Sequence, residues 1–330
     1  MNTSIIRTSK KRCQGEQMFF YLNCPRASFS QTKLDPHVSK SSAFKTIAIV
    51  GKPDVSDQLV QTLSELHACL KEHQCEVLFD KAAGPLVNEP GSDDLCALAE
   101  KSDLVIVVGG DGTLLHCARE IVPTSTPILG INLGRLGFLV DISPTNVCEV
   151  VSSVLDGNYE ADDRTLLECK VGNQKPQLAM NDVVLQKWNV ARMIEFETWI
   201  NGSSIDSQRS DGIVISTPTG STAYALSGGG PLLSPSLDAI SLVPICPHTL
   251  SNRPIVVPGN TEIQIGVCGK TDPQEVRVSC DGQEMLELKS NEKVTIRKFE
   301  KPLRLLHPAG HDHYKVLRTK LGWGSHPKTL

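Results

Sequence analysis

Apolar positions change their rhythm part-way along this chain. In the first half they form short unbroken runs at 46–50, 104–108 and 127–131, which predict strands buried on both faces of a parallel sheet. Residues 76–79 read as a further strand. Between these runs, apolar residues recur at three- and four-residue steps. Leu59, Leu63, Leu66 and Leu70 predict one helix, Leu95, Leu98 and Ala99 a shorter one. A third begins at Leu114 and carries Leu115, Ala118 and Val122 on one side; 147–155 is a fourth. Strands alternating with helices predict a parallel sheet covered on both faces, whose ligands gather at the carboxyl ends of its strands.

After residue 155 the pattern becomes an alternation of apolar and polar positions. Residues 166–171, 182–185, 195–200, 212–216, 262–267, 276–280, 285–288 and 293–297 read as strands, with hairpin turns at Asn201-Gly202 and Asp281-Gly282. One helix is expected in this region, starting near Ser221. The reading is an α/β domain over 45–145 followed by a β-rich domain over 146–302. The tail over 303–330, apolar again at Leu305, Leu306 and Leu317, packs back on the first domain. Residues 1–44 carry seven Lys and Arg against Glu16 and Asp35 without lasting periodicity, and are expected to be a disordered extension. An organelle transit peptide is the alternative reading of that basic segment.

Composition narrows the possibilities. The chain has 330 residues, 40% hydrophobic and 21% charged, which is ordinary for a globular protein of two domains or one large one. Its net charge of -4 gives no electrostatic case for nucleic acid or an anionic membrane. No apolar run approaches the roughly 18 residues of a membrane span. Eleven cysteines are scattered singly with no C-x-x-C pair, which reads as reduced thiols in a cytoplasmic setting.

The chemistry concentrates at glycine-rich turns. Gly109-Gly-Asp-Gly-Thr113 joins the apolar strand at 104–108 to a helix, a geometry that aims backbone N–H groups and a helix dipole at a phosphate. It lacks the Lys of a G-x-x-x-x-G-K-[ST] loop and holds a carboxylate instead. Asp111 at that place fits a proton acceptor or the holder of a bridging metal, or simply a helix cap; alone, the turn supports either reading. Thr217-Pro-Thr-Gly-Ser-Thr222 is a second such turn. One cap needs one hydroxyl, so the surplus favours a phosphate or ribose site. Arg209 and Asp211 flank it, as ligand contacts or a surface ion pair. Asn181-Asp182 suits the two hydroxyls of a ribose, or an Asx turn. His116, one turn into the helix, faces either a phosphate or solvent. His311 and His313 read as surface residues rather than metal ligands, and no protein metal site is expected.

Taken together, Gly109–Thr113, Asn132-Leu-Gly-Arg-Leu-Gly-Phe-Leu139, Asn181-Asp-Val-Val184, Ser210-Asp-Gly212, Thr217-Pro-Thr-Gly-Ser-Thr-Ala-Tyr224 and Asp281-Gly-Gln283 resemble the bacterial-type NAD kinases over residues 45–324. Gly-Gly-Asp-Gly is shared with diacylglycerol, sphingosine and phosphofructokinase-type kinases; the Pro-Thr-Gly-Ser-Thr-Ala-Tyr and Asn-Leu-Gly-Arg segments are far more specific. The resemblance implies a Rossmann-like, phosphofructokinase-like first domain. It also implies transfer of the γ-phosphoryl group of ATP to the 2′-hydroxyl of the adenosine ribose of NAD, with Asp111 as proton acceptor and Mg²⁺ arriving with ATP. Further NAD contacts carried over by the resemblance are Gly112, His116, Asn181, Asp182, Arg192, Arg209, Asp211, Thr222, Ala223, Tyr224, Ala225, Leu226, Ser227 and Gln283. Arg192 matches a position that often contacts NAD across a subunit interface, and the resemblance implies a homodimer or homotetramer. The rival readings are a lipid kinase built on the same loop, a non-catalytic dinucleotide sensor and a scaffold protein.

Overall fold

A computed structural model describes residues 44–134 and 137–323. The expectation for the basic leader at 1–44 therefore falls, apart from Phe44, outside the described residues, as do two positions of the turn that follows 127–131.

The chain opens with β1 (Thr46–Gly51), α1 (Asp57–Glu72), β2 (Glu76–Phe79), α2 (Leu95–Glu100) and β3 (Leu104–Gly109). It continues through α3 (Asp111–Ile121), β4 (Ile128–Asn132), α4 (Val147–Leu155) and β5 (Tyr159–Arg164). Ser56 caps α1 and Asp94 caps α2 by accepting backbone N–H groups of the first turn. No side chain caps α3. Its N-cap is Gly110, and it begins at Asp111, three residues earlier than apolar spacing suggests, because Asp111 and Gly112 carry no apolar mark.

A β-rich stretch follows: β6 (Leu167–Val171), β7 (Gln177–Ala179), β8 (Asp182–Lys187), β9 (Ile194–Ile200), β10 (Ser203–Ser210) and β11 (Gly212–Ser216). The single-turn α5 (Tyr224–Ser227) comes next. It takes the place of the longer helix expected from Ser221, because Ala223 at φ -100°, ψ -132° breaks the backbone from the 3-10 turn at Thr219–Thr222. Then come β12 (Ala239–Ile245), β13 (Ile255–Pro258), β14 (Ile263–Val267), β15 (Val276–Cys280), β16 (Glu284–Glu287) and β17 (Lys293–Lys298). The chain returns through β18 (Leu303–Pro308) and α6 (His313–Leu321).

Three six-stranded sheets result. The first has the order β2-β1-β3-β4-β18-β5, parallel except for β5, and includes the returning tail as expected. Leu59, Leu63 and Leu66 of α1 and Val151 of α4 cover one face. Leu98 of α2 with Leu114 and Ala118 of α3 cover the other. The other two sheets are antiparallel, β10-β9-β14-β17-β6-β7 and β13-β12-β11-β8-β15-β16, and close on a shared core around Phe196, Ile213, Ile265 and Val278. Among the described residues no helix is long and apolar enough to cross a membrane.

Candidate active site

The order β2-β1-β3-β4 reverses direction between β1 and β3, and ligands of open α/β sheets bind outside the strand ends at such a reversal. A cleft of about 400 Å³ lies there, lined by Gly51 at the end of β1, Asp80 after β2, Gly112 and His116 of α3, and Gln283. Asp80 is buried, its Oδ1 accepting the N–H groups of Gly51 (3.1 Å) and Ala83 (2.8 Å), and burial pushes its carboxyl above the ordinary value.

At the head of α3 the Asp111 carboxylate turns onto the loop after β4. Oδ2 accepts the N–H of Phe138 (2.9 Å), and Oδ1 accepts those of Leu139 and Val140 (3.2 Å each). An ionised carboxylate has about four acceptor sites, so three are used and one on Oδ2 remains for a donor from outside. This approach requires glycine at 137, where a Cβ would stand 1.9 Å from Asp111 Oδ1. Both glycine-rich turns of the parallel sheet thus meet on one carboxylate.

A second cleft of about 340 Å³ adjoins the sandwich and is lined by Asn181, Asp182, Ala223, Tyr224, Asp281 and Gly282. The β15–β16 hairpin turn borders both clefts, Gly282 in one and Gln283 in the other. Asp281 and Gly282 both take positive φ, as a type I′ turn demands. The Asp281 side chain is fully buried. Its Oδ1 accepts the N–H groups of Asn181 (2.7 Å) and Asp182 (3.2 Å); its Oδ2 accepts those of Met180 (3.0 Å) and Arg119 Nη1 (3.1 Å). Arg119 Nη2 also donates to Gln283 Oε1 (2.8 Å), and Gln283 Nε2 donates to the Gly112 carbonyl (3.0 Å). This clasp ties α3 to the sandwich. Arg119 carries no sequence signal as a site residue, because a cation near a helix C-terminus ordinarily reads as solvated.

Asp182 is almost fully buried beside Asp281. Burial and then the Asp281 charge push its carboxyl up to about 7, against the partial relief of the Tyr224 N–H.

The structure does not gather every expected residue. Gly112, His116 and Gln283 reach the first cleft; Asn181, Asp182, Ala223 and Tyr224 reach the second. Ala225 is buried against Val184, Val214 and Val243 and anchors the turn. Leu226 is half-buried and Ser227 exposed on the same short helix. Arg192, Arg209 and Asp211 line neither cleft. Arg192 pairs with Glu275 (2.7 Å), Arg209 with Glu195 (3.2 Å) and Asp211 with Lys187 (2.8 Å), so Arg209 and Asp211 do not form the ion pair that their sequence proximity allows.

The hydroxyl surplus of the second glycine turn also has an internal use. Thr217 Oγ1 donates to the Met180 carbonyl (2.6 Å), Ser221 Oγ to that of Pro218 (2.7 Å) and Thr222 Oγ1 to that of Thr219 (3.2 Å). These hydroxyls build the turn against Asn181 rather than stand open to a phosphate. Gly220 completes the contact, since a Cβ there would lie 2.1 Å from the Asn181 carbonyl oxygen.

The family model described as the ATP-NAD kinase N-terminal domain matches residues 47–159, and that of the ATP-NAD kinase C-terminal domain matches residues 180–307. An NAD kinase of Chromohalobacter salexigens is 47% identical over 288 residues, covering 86% of this chain and 98% of the relative. One of Acinetobacter baylyi is 46% identical over 293 residues, covering 87% and 94%. Among solved structures, yeast NADH kinase in complex with NADH superimposes with a TM-score of 0.78 at 25% identity, covering 87% of this chain and 90% of that one. An NAD kinase of Archaeoglobus fulgidus in complex with ATP gives 0.65 at 26% identity, covering 84% and 98%.

Proposed function

The chain belongs to the NAD kinase family, and from that premise we propose how its residues transfer the γ-phosphoryl group of ATP to the 2′-hydroxyl of the adenosine ribose of NAD, giving NADP and ADP. The relatives do not favour the lipid-kinase, sensor or scaffold readings.

The observation that carries the proposal is the remaining acceptor site on Asp111, at the point where two glycine-rich turns meet. A secondary hydroxyl is a poor nucleophile at neutral pH. Asp111 takes its proton as the oxygen attacks the γ-phosphorus and the bond to the ADP leaving oxygen breaks. Such a base is worth about 10²–10⁴-fold in rate. Three backbone N–H groups hold the carboxylate in place, so positioning does not await the substrate.

The second cleft receives the adenosine of NAD: Asn181 and Asp182 meet its ribose hydroxyls, and Tyr224, 42% exposed at the mouth, stacks on the base. The adjoining cleft receives phosphates at the head of α3, against Gly112 and His116, with Gln283 on its far side. Thr222 and the Ala223–Ser227 segment form the wall beside the adenosine. Mg²⁺ held through phosphates and water needs only one or two protein carboxylates; Asp80 and Asp93 line the first cleft and would be the ones to hold it, Asp93 on release from Lys81 (2.6 Å). When bound with ATP, the ion would supply neutralisation of charge on the transferring group.

Arg192 and Arg209 are each 61% exposed in their side chains and line neither cleft. Together with Asp211, they reach NAD from across the interface of a homodimer or homotetramer. The nine cysteines among the described residues are free thiols, in keeping with a cytoplasmic enzyme.

The test is a coupled assay for NADP formation from NAD, ATP and Mg²⁺. Stoichiometric NADP supports the reading, and ATP consumption without 2′-phosphorylation overturns it. Chromatography of the active enzyme tests the oligomer: a monomer of full activity overturns the shared site.

A further inference from the structure

A second constellation lies where the returning tail meets the parallel sheet. Asp141 follows the loop that holds Asp111, His307 belongs to β18, and His311 sits in the turn before α6. Sequence pattern reads His311 as a surface residue, yet its side chain is only 11% exposed; that of His307 is 1% exposed and that of Asp141 13%. His307 Nδ1 and His311 Nδ1 lie 3.0 and 2.7 Å from the same oxygen, Asp141 Oδ2. The rings stack with centroids 3.8 Å apart and planes at 15°. The three ligating atoms all fall within 4.8 Å of one another.

We propose that Asp141, His307 and His311 form a site for a zinc-type divalent cation, separate from the nucleotide clefts. Two imidazoles and one carboxylate are a donor set that suits Zn²⁺ and Co²⁺ rather than the all-oxygen shell of Mg²⁺. Bonds of about 2.0–2.2 Å place tetrahedral ligands roughly 3.3 Å apart, close to the 2.7 and 3.0 Å separations from Asp141 Oδ2, and the stacked rings must swing apart for both Nδ1 lone pairs to meet on one ion. The two Nδ1 atoms already converge on the Asp141 carboxylate, and a cation there would take the place of the two hydrogen bonds to Oδ2.

The elements that carry the ligands are already rigid. Leu305 and Leu306 of β18 pair with Ile128 and Leu129 of β4, and His307 faces Glu160 of β5. Val140, next to Asp141, donates its N–H to Asp111. Ile142, on the other side, accepts the N–H of Asn132 (2.8 Å). The cation therefore fastens α6 and the loop that holds Asp111 to the same sheet, and acts on the fold without touching substrate.

The test uses the full chain, stripped with a chelator and titrated with Co²⁺ in excess Mg²⁺. One equivalent should give visible d–d absorption of tetrahedral type without thiolate charge-transfer bands, and Zn²⁺ should abolish it. His311→Ala and Asp141→Asn should each weaken Co²⁺ binding by at least about 10-fold, and His248→Ala, an exposed control, should not. Zn²⁺ should raise the melting temperature of the wild type and leave that of Asp141→Asn unmoved, while circular dichroism checks that each variant folds. Absence of stoichiometric binding, a spectrum of cysteine ligation, or equal affinity in His311→Ala overturns the site.

Discussion

Asp111 and Asp281 are built alike and placed in different company. Each is a turn aspartate that accepts three consecutive backbone N–H groups from a loop remote in sequence, 138–140 for one and 180–182 for the other. Asp281 adds Arg119 as a fourth donor and is fully buried, so its acceptor capacity and its charge are both met inside the protein. Asp111 has no fourth donor among those hydrogen bonds and lies at the edge of the parallel sheet. The difference separates a carboxylate whose acceptor sites are all filled from one with a site to spare, and under the proposed mechanism that spare site, not the residue type or the turn, is what takes the proton.

Asp111→Asn should have the largest effect. The amide keeps one oxygen for the loop but cannot take a proton, so turnover should fall about 10²–10⁴-fold with NAD affinity retained. Steady-state kinetics beside a binding titration measure both; more than about a tenth of wild-type turnover would remove Asp111 from the role of base.

Asp281→Ala should act the other way. It removes the buried carboxylate that pairs with Arg119 Nη1 and leaves three backbone N–H groups without their acceptor, at about 3–5 kcal/mol of stability. Urea unfolding measures this, and a loss under about 1 kcal/mol would deny the clasp.

Asp182→Asn sharpens the contrast through pH. Its folded-state pKa of about 7 lies above the ordinary 3.8, so the protonated carboxyl supports the fold below pH 4. That support is lost as pH rises through 7. Wild type should lose roughly 2–4 kcal/mol across this window and the amide variant should not. Parallel stability curves for the two would contradict a buried, charge-coupled Asp182.

The smallest effect belongs to Gln283→Ala, which removes the bridge from Arg119 to Gly112 while leaving the Asp281 pair intact. About 1 kcal/mol of stability and a several-fold rise in KM are expected. A fall in kcat with KM unchanged would instead put Gln283 on the reacting groups.

What could be read from the chain follows burial. β1, β3 and β4 are legible because both faces are covered and their residues are uninterrupted apolar ones. β5, with the sequence YEADDR, and β10, with SSIDSQRS, are invisible to pattern because each is a sheet-edge strand with mostly polar, exposed residues. β12 is hidden by the proline within AISLVPI. The glycine turns announce themselves because backbone approach restricts residue choice to glycine, as at 137 and 220.

The alternation of layers, the two turn chemistries and the family are legible in the chain, since they rest on contacts between near neighbours and on residue types without substitutes. The folded arrangement alone settles which carboxylate keeps an open acceptor site, that Arg119 meets a partner 162 residues away, and that His311 lies half-buried against Asp141. The physical reason is that a side chain's charge and hydrogen-bonding capacity are consumed by whatever the fold brings alongside. A one-dimensional pattern records the capacity but not the neighbour.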